Sequence, residues 1–355
     1  MPDGTDAMKM IPAKDAIAFM QRAFMAVGMP EADAETTARR MADADLMGKD
    51  SHGIFRLPGY IGRIRNGGIN LNPDIRVERD NGATALIDGD NGMGHLVVSR
   101  MAELAMDKAA QHGVGWVGVH HSNHAGAAAV YSNMAMERDM IGIYAAVGSA
   151  NHLPPWGGTE MLLSTNPIAI SVPASREKPI VLDMATTVSS YGKIKVLAQR
   201  GQMMPEGYMI DREGKPLLDP RKADQGFLLP IGGAKGYGLA LMIGILAGTL
   251  NGAAFGKNVV DMNADPKTPT NTGQFFCAVD IKAFGDVDTF RRTVDDVIGQ
   301  MHGSPTMPGF DRVRLPGETS MNAIDERAAS GIPIPPQLMK LLDGVAGDLG
   351  IVGLS

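Results

Sequence analysis

The stretch His112-Gly113-Val114-Gly115-Trp116-Val117-Gly118-Val119-His120-His121-Ser122-Asn123-His124 decides what kind of fold this chain has. Its first half spells a dinucleotide fingerprint, Gly113-Val114-Gly115-Trp116-Val117-Gly118. That fingerprint cradles a pyrophosphate only where a strand enters it and a helix leaves it, because the free N–H groups of the helix start must face the phosphates. Here the order is reversed. Val97 to His112 has helical apolar spacing, and Gly115 to His120 reads as a buried strand. Gly113 is expected to close a helix and lead into that strand, so the segment is not a Rossmann loop.

Working outward, strands are expected at Thr84 to Asp88, Ile141 to Ala146, Ile168 to Val172, Ile180 to Leu182 and Phe275 to Val279. Helices are expected at Ala125 to Arg138, Val188 to Arg200, Gly236 to Asn251 and Val287 to Met301. Strands alternating with helices predict a layered α/β domain. The N-terminal part reads as helices at Ala13 to Val27, Glu31 to Met47 and Leu57 to Asn66, with Pro58 in a first turn where its missing N–H does no harm. Met203 to Gln225 is polar and turn-rich, and the Pro- and Gly-rich tail ends in a short helix, Pro336 to Asp343.

The 355 residues are 44% hydrophobic and 20% charged, the balance of a folded protein with room for about two domains. A net charge of −6 argues against a nucleic-acid surface, which needs clustered Lys and Arg. Cys277 is the only cysteine, so no internal disulfide forms; Met1 to Met10 has no basic start followed by an apolar core, and a cytoplasmic location is expected. Gly236 to Gly256 carries no charge and is long enough to cross a bilayer, yet it holds six glycines and Asn251 and lacks flanking aromatic belts. A buried helix is the expectation. Gly244, Gly248, Gly252 and Gly256 make a smooth stripe for close packing or a subunit interface.

Four places could carry chemistry. His120, His121 and His124 invite a metal, and with it a lyase or hydrolase, but their spacing matches no known ligand pattern and no metal is expected; Ser122 or Asn123 could cap the following helix. Gly232-Gly233-Ala234-Lys235-Gly236 opens into a helix and reads equally as an anion site or as a plain glycine-rich turn with a solvated Lys. Asp183 ends an apolar run, where a carboxylate can meet a ribose or order a turn. Ser51-His52 with Arg56 offers a proton acceptor near neutrality and a fork-shaped cation for a carboxylate. On a continuous helix His52, Arg56 and Tyr60 would share a face, although Pro58 places the helix start near Leu57. Taken alone, the segment reads first as a capped helix start with a packed His, and only second as an active site.

Together these segments resemble the malate/L-lactate/sulfolactate dehydrogenase family, which is separate from the Rossmann-fold lactate and malate dehydrogenases. The resemblance covers about residues 12–340 and rests on Asp50 to Tyr60, Ser122 to Ala127, Pro155 to Gly158, Thr165 to Ala169, Leu182 to Thr186, Gly192-Lys193, Pro205 to Gly207, Gly232 to Leu239 and Ile332 to Pro335. It implies an α/β (α+β) chain in which residues 1–76 and 305–355 form a helical domain and 77–304 a non-Rossmann domain for NAD or NADP. It also implies a homodimer. The activity implied is hydride transfer between that cofactor and a small 2-hydroxy acid, or alternatively reduction of a cyclic imine or keto-sugar acid. By resemblance His52 is the proton donor and acceptor, Ser51 orients it, and His124 is the second candidate. Arg56 holds the substrate carboxylate, with Tyr60 and Thr165 beside the substrate. His124, Ala125, Gly126, Ala127, Ala128, Asp183, Met184, Ala185, Lys193 and Lys235 would contact the cofactor, joined by Arg314, Pro316, Gly317 and Glu318 of the tail. Two departures stand out. Imine-reducing relatives carry Asp where this chain has Lys193, which favours the hydroxy-acid reading. Ala125 and Ala234 replace larger family residues and leave the choice between NAD and NADP open.

Overall fold

The N-terminal helices form where the apolar spacing places them. In a computed structural model, which describes residues 8–199 and 201–354, a short strand β1 (Lys9–Ile11) leads into α1 (Ala13–Ala26) and α2 (Glu31–Leu46). Phe19, Met20 and Phe24 of α1 pack on Ala34, Ala38 and Met41 of α2. Helix α3 (Leu57–Arg65) starts with Pro58 in its first turn and buries Leu57, Tyr60, Ile61 and Ile64 in the same core.

A seven-stranded sheet follows. It contains β2 (Arg76–Asn81), β3 (Thr84–Asp88), β4 (Val114–Ser122), β5 (Met140–Ala146), β6 (Ile168–Val172) and β7 (Ile180–Met184), with α4 (Gly94–His112) between β3 and β4 and α5 (Ala128–Ser132) between β4 and β5. Beyond β7 come α6 (Tyr191–Gln199), the small pair β8 (Met209–Asp211) and β9 (Gly226–Leu228), and α7 (Ala234–Ala247). The seventh strand, β10 (Thr272–Asp280), returns from far along the chain. The spatial order is β2-β3-β4-β10-β5-β6-β7, and β3–β4 is the parallel pair, all other neighbours being antiparallel. The sheet is therefore mixed, with β10 as its central strand.

Side chains alternate across the pleat. Phe276, Ala278, Val117 and Val119 face α4, while Phe275 and Ala145 face Ile243 and Ala247 of α7. Helices α8 (Val287–His302) and α9 (Glu318–Ser330), strand β11 (Ile332–Ile334) and α10 (Pro336–Leu349) complete the chain. β11 pairs antiparallel with β1, from Lys9 opposite Ile334 to Ile11 opposite Ile332, and Leu342 and Ala346 of α10 join the core of α1 to α3.

Gly113 closes α4 in the left-handed conformation (φ 82°) and β4 begins at the next residue, so the fingerprint is a helix end. Several boundaries differ from expectation. The helix expected over Ala125 to Arg138 is only α5 plus a 3-10 segment, Asn133–Arg138, because Gly126 (φ 77°) and extended Ala127 hold the preceding chain out of helix. Neither Ser122 nor Asn123 caps it: Ser122 ends β4, and the Asn123 amide donates to Asn91 and the Gly92 carbonyl. Helix α7 stops at Gly248, leaving Gly252 and Gly256 outside it, and it is not buried all round, since Leu239, Met242, Ile245 and Leu246 are exposed. At Gly244 the missing Cβ admits the Phe255 ring. The tail holds more structure than expected, namely α9, β11 and a longer α10. Among the described residues no helix is long and apolar enough to cross a membrane.

Candidate active site

Residues 50–56 do not form one helix. Two 3-10 turns, Asp50–His52 and Ile54–Arg56, are separated by Gly53 (φ −95°, ψ −137°), and α3 begins at Leu57. The cause lies beneath the break. The buried Asp45 carboxyl, in the last turn of α2, accepts the Ile54 N–H at 2.8 Å, and a Cβ on Gly53 would overlap that carboxyl group. Burial pushes the Asp45 pKa up to about 8, so it holds its proton at neutral pH. Arg327 of α9 donates to the Asp45 carbonyl at 2.6 Å and pairs with Asp50, which fixes the turn from the other side.

This turn presents His52. Ser51 Oγ lies 2.8 Å from His52 Nδ1, which engages that nitrogen and leaves Nε2 for another partner. Burial, followed by the charges of Arg56 and Lys49, lowers the His52 pKa to about 4, so the ring rests neutral. His124 stacks on it with ring centroids 5.8 Å apart. The buried Tyr60 hydroxyl is 2.6 Å from His124 Nδ1; burial raises its pKa, so it remains a donor, and burial above all else holds His124 well below the ordinary histidine range. Sequence positions 51, 52, 60 and 124 thus meet in one cluster. Arg56 is anchored by Nε to the Ser51 carbonyl at 2.9 Å and reaches Asn263 Oδ1 at 3.4 Å, beside a cleft that Met262 and Pro266 also line.

The loop after β4 packs against this cluster. The Gly126 N–H points at His124 Nδ1 (3.4 Å), and a Cβ on Gly126 would press on His95. Ala125, Ala127 and Ala128 are buried. His95, fully buried with neither ring nitrogen bonded among the described residues and set edge-on to Tyr60, is a member that the sequence did not reveal; burial lowers its pKa to about 3. A lone His inside an apolar helix start carries no signal.

A second cleft opens beside it. Asp183 at the end of β7 pairs with Lys49 at 3.2 Å, and Leu182, Pro316 and Gly317 line the same opening. The Pro316 carbonyl accepts the Val181 N–H at 3.1 Å, so the tail lies along the free edge of the sheet. Lys49 was also missed, although it stands three residues before His52. Met184 and Ala185 continue the strand end. Glu318 ties the tail down through the Leu315 N–H at 3.0 Å and through Arg312, whereas Arg314 is engaged with Asp311 on the surface. Lys235 is exposed in the first turn of α7 behind left-handed Gly232 and Gly233. Lys193 is exposed on α6 and donates to the Tyr208 hydroxyl at 3.0 Å. Thr165 accepts Thr186 through its carbonyl, on the loop before β6, with no bond to the His52 cluster among the described residues.

His120, His121 and His124, the three histidines of the minor metal reading, do not converge. His124 turns inward to Tyr60, while His120 and His121 remain at the outer end of β4 with Asp88.

The chain matches a family model described as malate/L-lactate dehydrogenase over residues 11–343. It is 40% identical to L-sulfolactate dehydrogenase of Methanothermobacter thermautotrophicus, over 96% of this chain and 97% of that one. Identity to malate dehydrogenase of Pyrococcus abyssi is 38%, over 97% and 96%. The solved structure of sulfolactate dehydrogenase from Methanocaldococcus jannaschii superposes with a TM-score of 0.90 at 38% identity, covering 97% and 98%. Two further relatives name a cofactor: ureidoglycolate dehydrogenase (NAD(+)) of Escherichia coli K12, 32% identical over 89% of each chain, and (2R)-3-sulfolactate dehydrogenase (NADP(+)) of Chromohalobacter salexigens, 33% identical over 78% and 83%.

Proposed function

From the premise that this chain belongs to the malate/L-lactate dehydrogenase family, we propose that it interconverts a small 2-hydroxy acid of the malate or lactate type and its 2-keto acid, using NAD or NADP. The observation that carries this reading is the pair of consecutive turns that offers a neutral imidazole, His52, and an anchored guanidinium, Arg56, against the His124–Tyr60 pair.

The residues present fit a dinucleotide. Lys235 and the unpaired N–H groups of the α7 start, reached through two left-handed glycines, suit a pyrophosphate. Asp183 and the tail at Pro316 and Gly317 offer a carboxylate and backbone to the sugar side. When bound, the nicotinamide cofactor supplies the hydride acceptor or donor. The chain does the rest. Arg56 orients the substrate carboxylate through its free guanidinium N–H groups. His52 accepts the hydroxyl proton at Nε2 during oxidation and returns it during reduction. Ser51 fixes the ring through Nδ1, and the Tyr60–His124 bond sets the orientation of the second imidazole. The buried alanines of 125–128 keep water from the far side of that ring.

We assign residues 1–76 and 305–355 to one helical unit and 77–304 to the cofactor unit. A homodimer suits the exposed apolar side of α7 (Leu239, Met242, Ile245, Leu246), and a cytoplasmic setting suits the lone buried thiol of Cys277. The test is a panel of malate, lactate, sulfolactate and their keto acids with each cofactor, followed by loss or gain of reduced-cofactor absorbance. Turnover confined to cyclic imino acids, or absent with every 2-keto acid, would overturn the reading. Light scattering on the eluted peak tests the dimer.

A further inference from the structure

The outer corner of the sheet, remote in role from the proton-transfer cluster, holds a second convergence of side chains. Asp88 is the last residue of β3 and stands opposite His120 in the parallel β3–β4 pair and opposite Arg76 in the β2–β3 pair. Two backbone irregularities aim donors at it. The β2–β3 register shifts between Val77 and Arg79, so Glu78 is the extra residue of a bulge, and bulges re-aim side chains. On the other flank His121 is left-handed (φ 47°), uncommon for a residue other than glycine. In a regular strand successive side chains point to opposite faces; here the two imidazoles sit side by side, with centroids 4.3 Å apart. The Asn271 side chain holds this conformation by accepting the His121 N–H at 2.7 Å.

We propose that Asp88, His120 and His121, assisted by Glu78, form a binding site for a divalent transition metal of the zinc class. One donor atom from each of Asp88, His120 and His121 lies within 4.8 Å of the others. His121 Nδ1 is 3.0 Å from Asp88 Oδ1 and His120 Nε2 is 2.9 Å from Glu78 Oε2. Ligands at about 2.1 Å from a tetrahedral zinc stand roughly 3.4 Å apart, so small shifts suffice. Two imidazoles with carboxylates are a borderline donor set, suited to Zn²⁺ rather than to Mg²⁺ or Ca²⁺. The support around it is already built: Asp88 is nearly buried, its Oδ1 accepts the Asp90 N–H at 2.9 Å, and Arg76 takes the other oxygen at 2.8 Å while shared with Asp74. The His121 side chain is 49% exposed and provides the way in. A bound ion takes the place of the present imidazole–carboxylate contacts. It ties the β2–β3 edge to the end of β4, three residues before His124, and takes no part in hydride transfer.

The experiment uses the full chain, stripped with a chelator and titrated with ZnCl₂ by calorimetry, with thermal melts and the Co²⁺ absorption spectrum beside it. The variant His121→Asn removes an imidazole while keeping a residue that tolerates the left-handed backbone; Asp88→Asn is the second. The expected result is one ion per chain, a melting temperature raised by Zn²⁺, and visible Co²⁺ bands of a low-coordinate site. Affinity should fall at least tenfold in both variants, with unchanged keto-acid turnover in metal-free buffer for His121→Asn. Less than half an equivalent bound, or equal affinity in a folded His121→Asn protein, overturns the proposal.

Discussion

At His52 the chemistry depends on one ring with one of its nitrogens already engaged. His52→Ala is expected to lower kcat by about 10²- to 10⁴-fold, the usual worth of a placed acid–base group. His124→Ala should cost less and leave the pH profile of oxidation in place; the reverse ranking, measured in stopped-flow turnover of both variants, would exchange their roles. Arg56→Lys keeps the charge and loses the fork, so kcat/KM for carboxylate substrates should fall by about 10- to 100-fold, mostly through KM. Gly53→Ala is a different kind of lesion. Its Cβ would displace the Asp45 carboxyl, and a loss of about 2–3 kcal/mol in denaturant unfolding is expected, with activity falling because the His52 turn moves. Ser51, His52 and Arg56 are residue types that suit this chemistry, but their roles were legible only through the resemblance of the surrounding motifs to the family, since alone the segment reads first as a capped helix start. Asp45, Lys49 and His95 were not readable. Asp45 looks like one more acidic residue of an amphipathic helix, and its role exists only because Gly53 folds back onto it.

Elements show the same division between local and long-range cause. Helices α1, α2, α4 and α8 were legible from apolar spacing, and the rejection of the Gly113–Gly118 fingerprint rested on the order of helix and strand, which the structure reproduces. Strand β2 was missed because all six of its residues are exposed, so no hydrophobic alternation marks it; its backbone pairs with β3, and its Glu78 and Asp80 reach His120 and Lys108. Helix α5 starts later than expected because Gly126, held against His95 and His52, and extended Ala127 keep the chain out of helix. The tail segment offers an element-scale test. Gly317 has φ 83° and its Cα lies against Val181 of β7, so Gly317→Ala should lift the tail from the sheet edge. We expect KM for the cofactor to rise by about tenfold with a smaller change in KM for the keto acid, as read from separate titrations of the two substrates.

Across the whole molecule, buried titratable groups set opposed pH slopes. His52 and His95 titrate at about 4 and about 3 in the fold against 6.5 when free, and His124 is lowered as well, so the unfolded chain takes up protons first as pH falls below 6.5. Stability therefore declines from pH 6.5 toward 4. Asp45 acts in the other sense: its pKa is about 8 folded against 3.8 free, so its contribution is full below 3.8 and is lost as pH rises toward 8. Between 4 and 6.5 the histidines outweigh it, and above 6.5 it acts without them. Melting temperature should peak near pH 6–6.5, and Asp45→Asn, which can still accept the Ile54 N–H, should flatten the alkaline side. Scanning calorimetry across pH 4–9 gives the answer; an unchanged alkaline slope in the variant would remove Asp45 from the explanation.

The position of β10 carries a further consequence, one of timing. This strand is seventh of seven in synthesis, yet it fills the gap between β4 and β5. Until it leaves the ribosome, each of those strands exposes a row of unpaired N–H and C=O groups along with the apolar faces of Val117, Val119 and Tyr144. The nascent chain must thus carry two half-sheets, open toward each other, through most of translation. Such a topology folds slowly and late, and an incomplete chain is a better substrate for aggregation or for a chaperone than for itself.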